Sequence, residues 1–185
     1  MNHDPARISR YLQEIREWGG RMNLVGSTAM DALQTHVDDS LAPAMALPRG
    51  ARVVDLGSGA GFPGVPIAIV RPDLRIVLVE IRERRFHFLR HVVRTLELCC
   101  DVWRRSVDDP PAEPFEAVLV RALAARERAL RMAAPWAGSE GEIFHWTRSE
   151  AIPEGFEEVG RIPVEGRGYV ARVRVASVPR GTLAG

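Results

Sequence analysis

Lysine is missing from this chain: its 25 lysine-plus-arginine positions are all arginine. Arginine's planar fork suits phosphate and stacked-base contacts better than an ammonium does, so the bias admits a nucleic-acid partner without demanding one. Cysteine is scarce. Cys99 and Cys100 are neighbours, which cannot close a useful loop and lack metal-ligand spacing, so a disulfide framework and a cysteine metal centre are both excluded. They are expected to be small buried residues. No apolar run reaches the length of a membrane span, and Met1-Asn2-His3-Asp4-Pro5 has neither the basic nor the apolar region of a signal peptide. The expected setting is the cytoplasm, with no membrane partner. A formal net charge of +1 gives no chain-wide field for polyanions. There is no internal repeat and no low-complexity segment.

What is present is ordinary for one globular domain: 185 residues, 46% of them hydrophobic and 26% charged. The chain turns on Val53 to Gly64. A short apolar run, Val53 to Leu56, leads into Gly57-Ser58-Gly59-Ala60-Gly61-Phe62-Pro63-Gly64, which reads as strand, ligand loop and helix start. Four glycines in eight residues let the backbone take positive φ and approach a ligand without a Cβ in the way. Two cofactors fit such a loop. Gly59 to Gly64 matches the G-x-G-x-x-G dinucleotide pattern, with Glu80 at a distance suited to a ribose. Asp55 favours S-adenosylmethionine instead, because a carboxylate there opposes a pyrophosphate and attracts an ammonium group.

Taken in order, Asp4-Pro5 opens a helix carrying Ile8, Leu12, Ile15 and Trp18, which Gly19-Gly20 should end. Thr28-Ala29-Met30-Asp31 resembles a capping box for a second helix with Leu33, Val37, Leu41 and Met45 on one face, running toward Pro48. These two helices could cover the ligand edge of a sheet. After the glycine loop come a helix ending at Arg71-Pro72-Asp73, a buried parallel strand Arg75 to Glu80, and a helix Arg82 to Leu98. Strands follow at Asp101 to Arg104, Ala117 to Val120 and Gly141 to Trp146, with a helix through Leu130 to Trp136 before the last of them. Phe156 to Val164 and Tyr169 to Val175 form a closing hairpin about Glu165-Gly166-Arg167-Gly168, and the tail is expected to fray.

Several clusters carry two readings each. His36, Asp39 and Ser40 resemble hydrolase chemistry, but no nucleophile elbow or oxyanion hole accompanies them; they are read as positioning a substrate or bracing the loop. His87 and His91 are spaced as zinc ligands can be, without a third ligand at a recognisable spacing. No metal is expected. Seven arginines between Arg82 and Arg105 oppose Glu83, Glu97 and Asp101, either as a solvated helix face or as an RNA-facing patch. Asp109-Pro110-Pro111 is similar to a motif of amino-group methyltransferases but lacks its aromatic residue and precedes the fourth strand, so it reads as a loop.

Asn23-Leu24, His36-x-x-Asp39-Ser40-Leu41, Asp55-x-Gly57-Ser58-Gly59-Ala60-Gly61-Phe62-Pro63-Gly64 and Arg121-Ala122 together resemble the bacterial 16S rRNA guanine-N7 methyltransferases, the glucose-inhibited division protein B family. The likeness runs in order and spacing from about Trp18 to Arg121. It implies an α/β fold of the Rossmann-like class I methyltransferase type, a seven-stranded, mostly parallel sheet with helices on both faces and N-terminal helices. It also implies S-adenosylmethionine as methyl donor and a guanine of 16S rRNA, in the small ribosomal subunit, as acceptor. By matching position, Gly57, Gly59 and Gly61 face the methionine part, with Asp55, Ser58 and Phe62 of the same loop in the cofactor site. Glu80 holds the ribose and Arg105, Ser106 and Val107 run beside the adenine. Arg121 lines the substrate side, also touching the cofactor, with His36 and Asp39 as further candidates for the catalytic centre.

The resemblance divides the chain into a helical cover at 1–48, a core at 49–177 and a tail at 178–185, within one methyltransferase domain expected to be monomeric. The chain also departs from the family pattern. It has a shorter N-terminal helical region and His145-Trp146-Thr147-Arg148 where a Lys-Gly follows the fifth strand. The arginine of the last turn is displaced, in Arg167-Gly168-Tyr169. Either Arg148 and Arg167 take over those roles or the RNA grip differs. Another RNA or a small molecule as acceptor, and a non-catalytic cofactor-binding module of ribosome assembly, are the competing readings.

Overall fold

The computed structural model describes residues 4–22 and 24–176. Asn23 of the quoted motif and the 178–185 tail lie outside the described residues. Among the described residues, five helices and seven strands alternate as α1 (Pro5–Met22), α2 (Met30–Leu41), β1 (Arg52–Leu56), α3 (Gly64–Val70), β2 (Arg75–Val79), α4 (Glu83–Thr95), β3 (Cys100–Trp103), β4 (Ala117–Val120), α5 (Arg126–Ala137), β5 (Glu142–Thr147), β6 (Phe156–Val164) and β7 (Gly168–Val175). One sheet in the order β3-β2-β1-β4-β5-β7-β6 collects all these strands. β1 to β5 pair in parallel, whereas β7 runs antiparallel between β5 and β6.

Strand alternation sorts the core into two layers. Val53, Ile76, Leu78, Ala117 and Leu119 face α1 to α4, whose Leu12, Leu33, Ile67 and Phe88 pack on that side. Val54, Leu56, Val77, Val118 and Val120 face the other way, against Ala129, Leu130, Ala133 and Trp136 of α5. The chain therefore leaves β1 toward one face and β4 toward the other. Between their carboxyl ends lies the crevice where open α/β sheets bind ligands.

Four local expectations differ from the structure. α1 continues through Gly19-Gly20 to Met22, although glycine inside a helix costs about 1 kcal/mol each. Its reason is tertiary: a Cβ on Gly19 would stand 2.9 Å from Thr28 Cγ2, so the glycine lets the segment before α2 pass close by. Thr28 consequently does not cap α2; Ala29 holds the cap position with no side-chain hydrogen bond. Met45 lies beyond the end of α2 and is 68% exposed, while Leu47 is buried. Cys99 is exposed and Cys100 only half-buried, because β3 is an edge strand with no neighbour on its far side among the described residues.

Candidate functional site

The glycine loop leaves β1 at the crevice, and its shape is set by contacts made underneath it. Ser58 N–H donates to Val79 O (2.9 Å), Gly61 N–H to Ser58 O (2.7 Å) and Val65 N–H to Gly61 O (2.7 Å), which folds the loop tightly into α3. Gly57, Gly59 and Gly61 have φ of 69°, 59° and 101°, in the region that non-glycine residues avoid. The glycines differ in what surrounds them. A Cβ on Gly61 would meet Val65 Cγ2 at 2.7 Å and Tyr11 Oη at 3.0 Å, and one on Gly64 would meet Asp55 Oδ2 at 2.8 Å. Those two are required by the protein's own packing. A Cβ on Gly59 would clash with nothing and would sit in ordinary contact with Arg85 Nη1 and Gly57 O, both at 3.7 Å, so this buried turn is uncrowded and bordered by the Arg85 guanidinium.

Asp55 sits beneath this loop at 1% exposure, and its Oδ2 accepts the Gly64 N–H at 3.1 Å. The carboxylate thus ties the start of α3 to β1 and does not stand in the crevice as a bare charge. Burial pushes it up to about 7, against the Gly64 hydrogen bond, the Ser58 hydroxyl and the Arg121 charge, which all favour the ionised form. Glu80, one residue past β2, is also buried. Its Oε2 accepts Gly59 N–H (3.1 Å) and its Oε1 accepts Arg82 N–H (2.8 Å), so this acid holds the middle glycine of the loop directly. Ser58 is buried, its hydroxyl donating to Asp55 O at 2.9 Å.

The N-terminal helices cover the same edge. Tyr11 of α1, fully buried, donates its hydroxyl to Ala60 O at 2.9 Å and packs edge-on against Phe62 with ring centres 5.3 Å apart. Sequence reasoning misses Tyr11. It falls within the apolar stripe of α1, beside Leu12, and nothing but its hydroxyl hints at a polar partner across the fold. His91 is likewise used structurally: its Nε2 meets Glu14 Oε2 of α1 at 2.7 Å. His87 is exposed, 3.9 Å from Glu83, so the two histidines do not converge.

Across the crevice, one residue past β4, the structure gathers the trio of α2 around Arg121. Its Nη1 donates to His36 O (3.1 Å) and Ser40 Oγ (3.0 Å), and its Nη2 to His36 Nδ1 (2.8 Å) and Asp39 Oδ2 (3.2 Å). A guanidinium can only donate, so His36 Nδ1 is the acceptor and the ring proton sits on Nε2. Burial and the Arg121 charge hold His36 below its ordinary value, in agreement with a neutral ring. Burial also lowers Arg121. Ala122, the next residue, has φ of 53°, a costly conformation for alanine that turns the chain sharply at this point.

A second arginine reaches the same acid from the β6–β7 turn: Arg167 Nη1 lies 3.0 Å from Asp39 Oδ2. Arg148 Nε donates to Arg167 O (3.2 Å), and Trp146 Nε1 donates to Asp39 O (2.9 Å). These side chains, with Thr147, Val164 and Tyr169, border a cavity of about 310 Å³. Phe62 links the two halves of the site, its ring 5.4 Å from that of His36 and 5.9 Å from the Arg121 guanidinium carbon. The remaining sequence candidates, Arg105, Ser106 and Val107, follow β3. Arg105 pairs with Asp109 at 2.9 Å and Val107 O accepts the Trp136 indole N–H at 2.7 Å, so this segment is anchored to α5 on the far face.

The model of the family described as rRNA small subunit methyltransferase G matches residues 4–154. The chain belongs to that family. Among similar curated proteins is a ribosomal RNA small subunit methyltransferase G of Desulfotalea psychrophila, 41% identical over 108 residues, which are 57% of this chain and 50% of that protein. The protein of the same name from Cronobacter sakazakii is 31% identical over 173 residues, 88% of this chain and 83% of that protein. The chain spans about half the length of the first of these relatives. Among solved structures, a mutant of MtNAS in complex with S-adenosylmethionine matches 93% of this chain and 73% of its own at a TM-score of 0.64 and 19% identity, a likeness of fold.

Proposed function

We propose that the protein transfers a methyl group from S-adenosylmethionine to N7 of a guanine in 16S rRNA. The observation that carries this reading is the pairing, at the carboxyl ends of neighbouring strands, of the glycine loop held at Gly59 by Glu80 with Arg121 held by the trio of α2. The loop suits the cofactor in that Gly57, Gly59 and Gly61 all hold positive φ and Gly59, unlike the other two, would carry a Cβ without a clash. Gly57, Gly59 and Gly61 would lie along the methionine part, with Asp55, Ser58 and Phe62 beneath or beside it. Glu80 would hold the ribose, and Arg105 to Val107 the adenine edge. Bound S-adenosylmethionine would supply an electrophilic methyl.

Guanine N7 forms the new carbon–nitrogen bond with an in-plane lone pair and loses no proton, so the protein's task is orientation and charge placement. The arrangement suits that task. The lone pair of His36 Nδ1 and the Asp39 carboxylate are both engaged by arginines, so they fix Arg121 in place and are not poised to remove a proton. With both hydrogens of each Nη engaged by α2, Arg121 offers a phosphate or the guanine O6 its positive charge and its remaining Nε–H, while N7 stays free. A target base stacked in its hairpin must be turned out into the crevice. The described residues hold no helix long and apolar enough to cross a membrane. The chain is proposed to act as one monomeric domain in the cytoplasm, with residues 1–48 as the cover of the crevice.

The test is transfer of labelled methyl to undermodified small ribosomal subunits and to naked 16S rRNA, followed by mapping of 7-methylguanosine. One labelled guanine in either substrate is the expected result. Cofactor binding by calorimetry with no label in either would refute the rRNA assignment.

A further inference from the structure

We infer that the exposed face of α4 is a docking track for the phosphate backbone of substrate RNA, an inference that rests on the reading just given. α4 contains Arg84, Arg85, Arg90 and Arg94 against a single acid, Glu83. That acid is already shared by Arg104, at 3.3 Å, and His87. Arg84, Arg90 and Arg94 are exposed and, among the described residues, make no ion pair. Phe86, half-buried on the same helix, lies beneath the Arg90 guanidinium at 5.7 Å, an arrangement of cation and ring that also accepts stacked bases.

A face that served only for solubility would alternate signs, because acids and bases four apart stabilise a helix by a few tenths of a kcal/mol while like charges destabilise it as much. α4 follows that pattern only at Glu83 in its first turn and Arg94 in its last. Arg90 and Arg94 stand four apart with like charge, and Arg84 and Arg85 sit in the first turn, where a cation opposes the helix dipole. The chain as a whole is nearly neutral, so the concentration of charge is local.

Position gives it a use. The helix begins three residues after Glu80, and Arg82 just before it donates its backbone N–H to that acid, so the track starts at the mouth of the crevice. Its 13 residues extend about 20 Å from there. RNA whose target base enters the crevice would have its flanking backbone carried along α4 toward the β3 edge of the sheet, laterally away from Arg121 and Arg167.

The experiment compares wild type, the triple variant Arg84→Gln, Arg90→Gln and Arg94→Gln, and the control Arg128→Gln on α5. Glutamine retains helix propensity and removes like-charge repulsion, so the triple variant should melt no lower than wild type. Binding of a 16S rRNA fragment is measured by filter retention from low to high salt, alongside KM and kcat for methyl transfer and cofactor affinity by calorimetry. Removing one arginine–phosphate pair reduces the slope of log affinity against log salt by about 0.7 for single strands. The triple variant should therefore lose about two units of slope and bind roughly 50-fold more weakly at physiological salt. KM should rise while kcat, cofactor affinity and the control stay unchanged. An unaltered slope and KM in the triple variant, or an equal weakening in the control, overturns the track even if wild type methylates rRNA. A wild type that transfers no methyl but shows the slope difference would refute the substrate assignment and leave the track standing.

Discussion

Asp55→Asn tests whether the buried carboxylate under the glycine loop is a standing charge or a group that titrates near neutrality. Asparagine retains an oxygen toward Gly64 N–H, which Asp55 Oδ2 now accepts at 3.1 Å, and abolishes ionisation. Burial raises Asp55 from the ordinary 3.8 to about 7 in the folded protein. A group with a raised folded value contributes stability that is complete below its unfolded pKa and is lost as pH rises through the folded one. The gap corresponds to about 4 kcal/mol. Urea unfolding of both proteins at closely spaced pH values should show the wild-type stability, relative to the variant, falling by about that amount between pH 4 and pH 7. Above pH 7 the difference should level off. A difference that stays flat to within about 0.5 kcal/mol across that range would refute the reasoning. It would mean that Gly64 N–H and the Arg121 charge outweigh burial and keep the acid ionised throughout.

Gly64→Ala should destabilise the protein by about 1–3 kcal/mol, since the new methyl would press on Asp55 Oδ2 at 2.8 Å; a melting temperature equal to wild type would contradict the packing described. Glu80→Ala removes the acceptor of Gly59 and Arg82 N–H. It is expected to weaken cofactor binding in calorimetry and to cost about 2–4 kcal/mol of stability, as buried charge-assisted hydrogen bonds do; normal cofactor affinity would remove Glu80 from the cofactor site. Arg121→Ala should lower kcat by roughly 100-fold, in the range seen when one positioned donor is removed, with cofactor affinity nearly unchanged. Wild-type kinetics in that variant would remove Arg121 from the substrate side.

The sheet was legible because its strands are buried on both faces and read as almost unbroken apolar runs, such as Ile76 to Val79. Their ends were legible too, because the chain changes character abruptly at Gly57, Glu80 and Arg121. Helix ends were less so. Gly19 looks like a terminator by propensity, and only the close approach of Thr28, a tertiary feature, shows why a glycine stands inside the helix. Thr28 looks like a cap for the same local reason and is recruited to that contact instead. Tyr11 could not be separated from its apolar neighbours, because the carbonyl its hydroxyl meets belongs to Ala60, 49 residues away.

The substrate side depended still more on distance along the chain. Arg167 and Asp39 are 128 residues apart, and no periodicity or spacing can join them. Once joined, they explain the arrangement of the last turn. Two guanidinium groups sharing one carboxylate oxygen leave a net positive cluster whose members do not drive each other apart. Of the pair, Arg121 is largely enclosed, with its side chain 14% exposed, and Arg167 remains 42% exposed. An entering phosphate would therefore meet Arg167 first, and could draw it from Asp39 while Arg121 stays held by His36 and Ser40. Arg148 has a different part: it binds the Arg167 carbonyl and keeps the turn over the cavity. The two arginines that look equivalent in the sequence thus divide into one that can reach a ligand and one that holds the other in place.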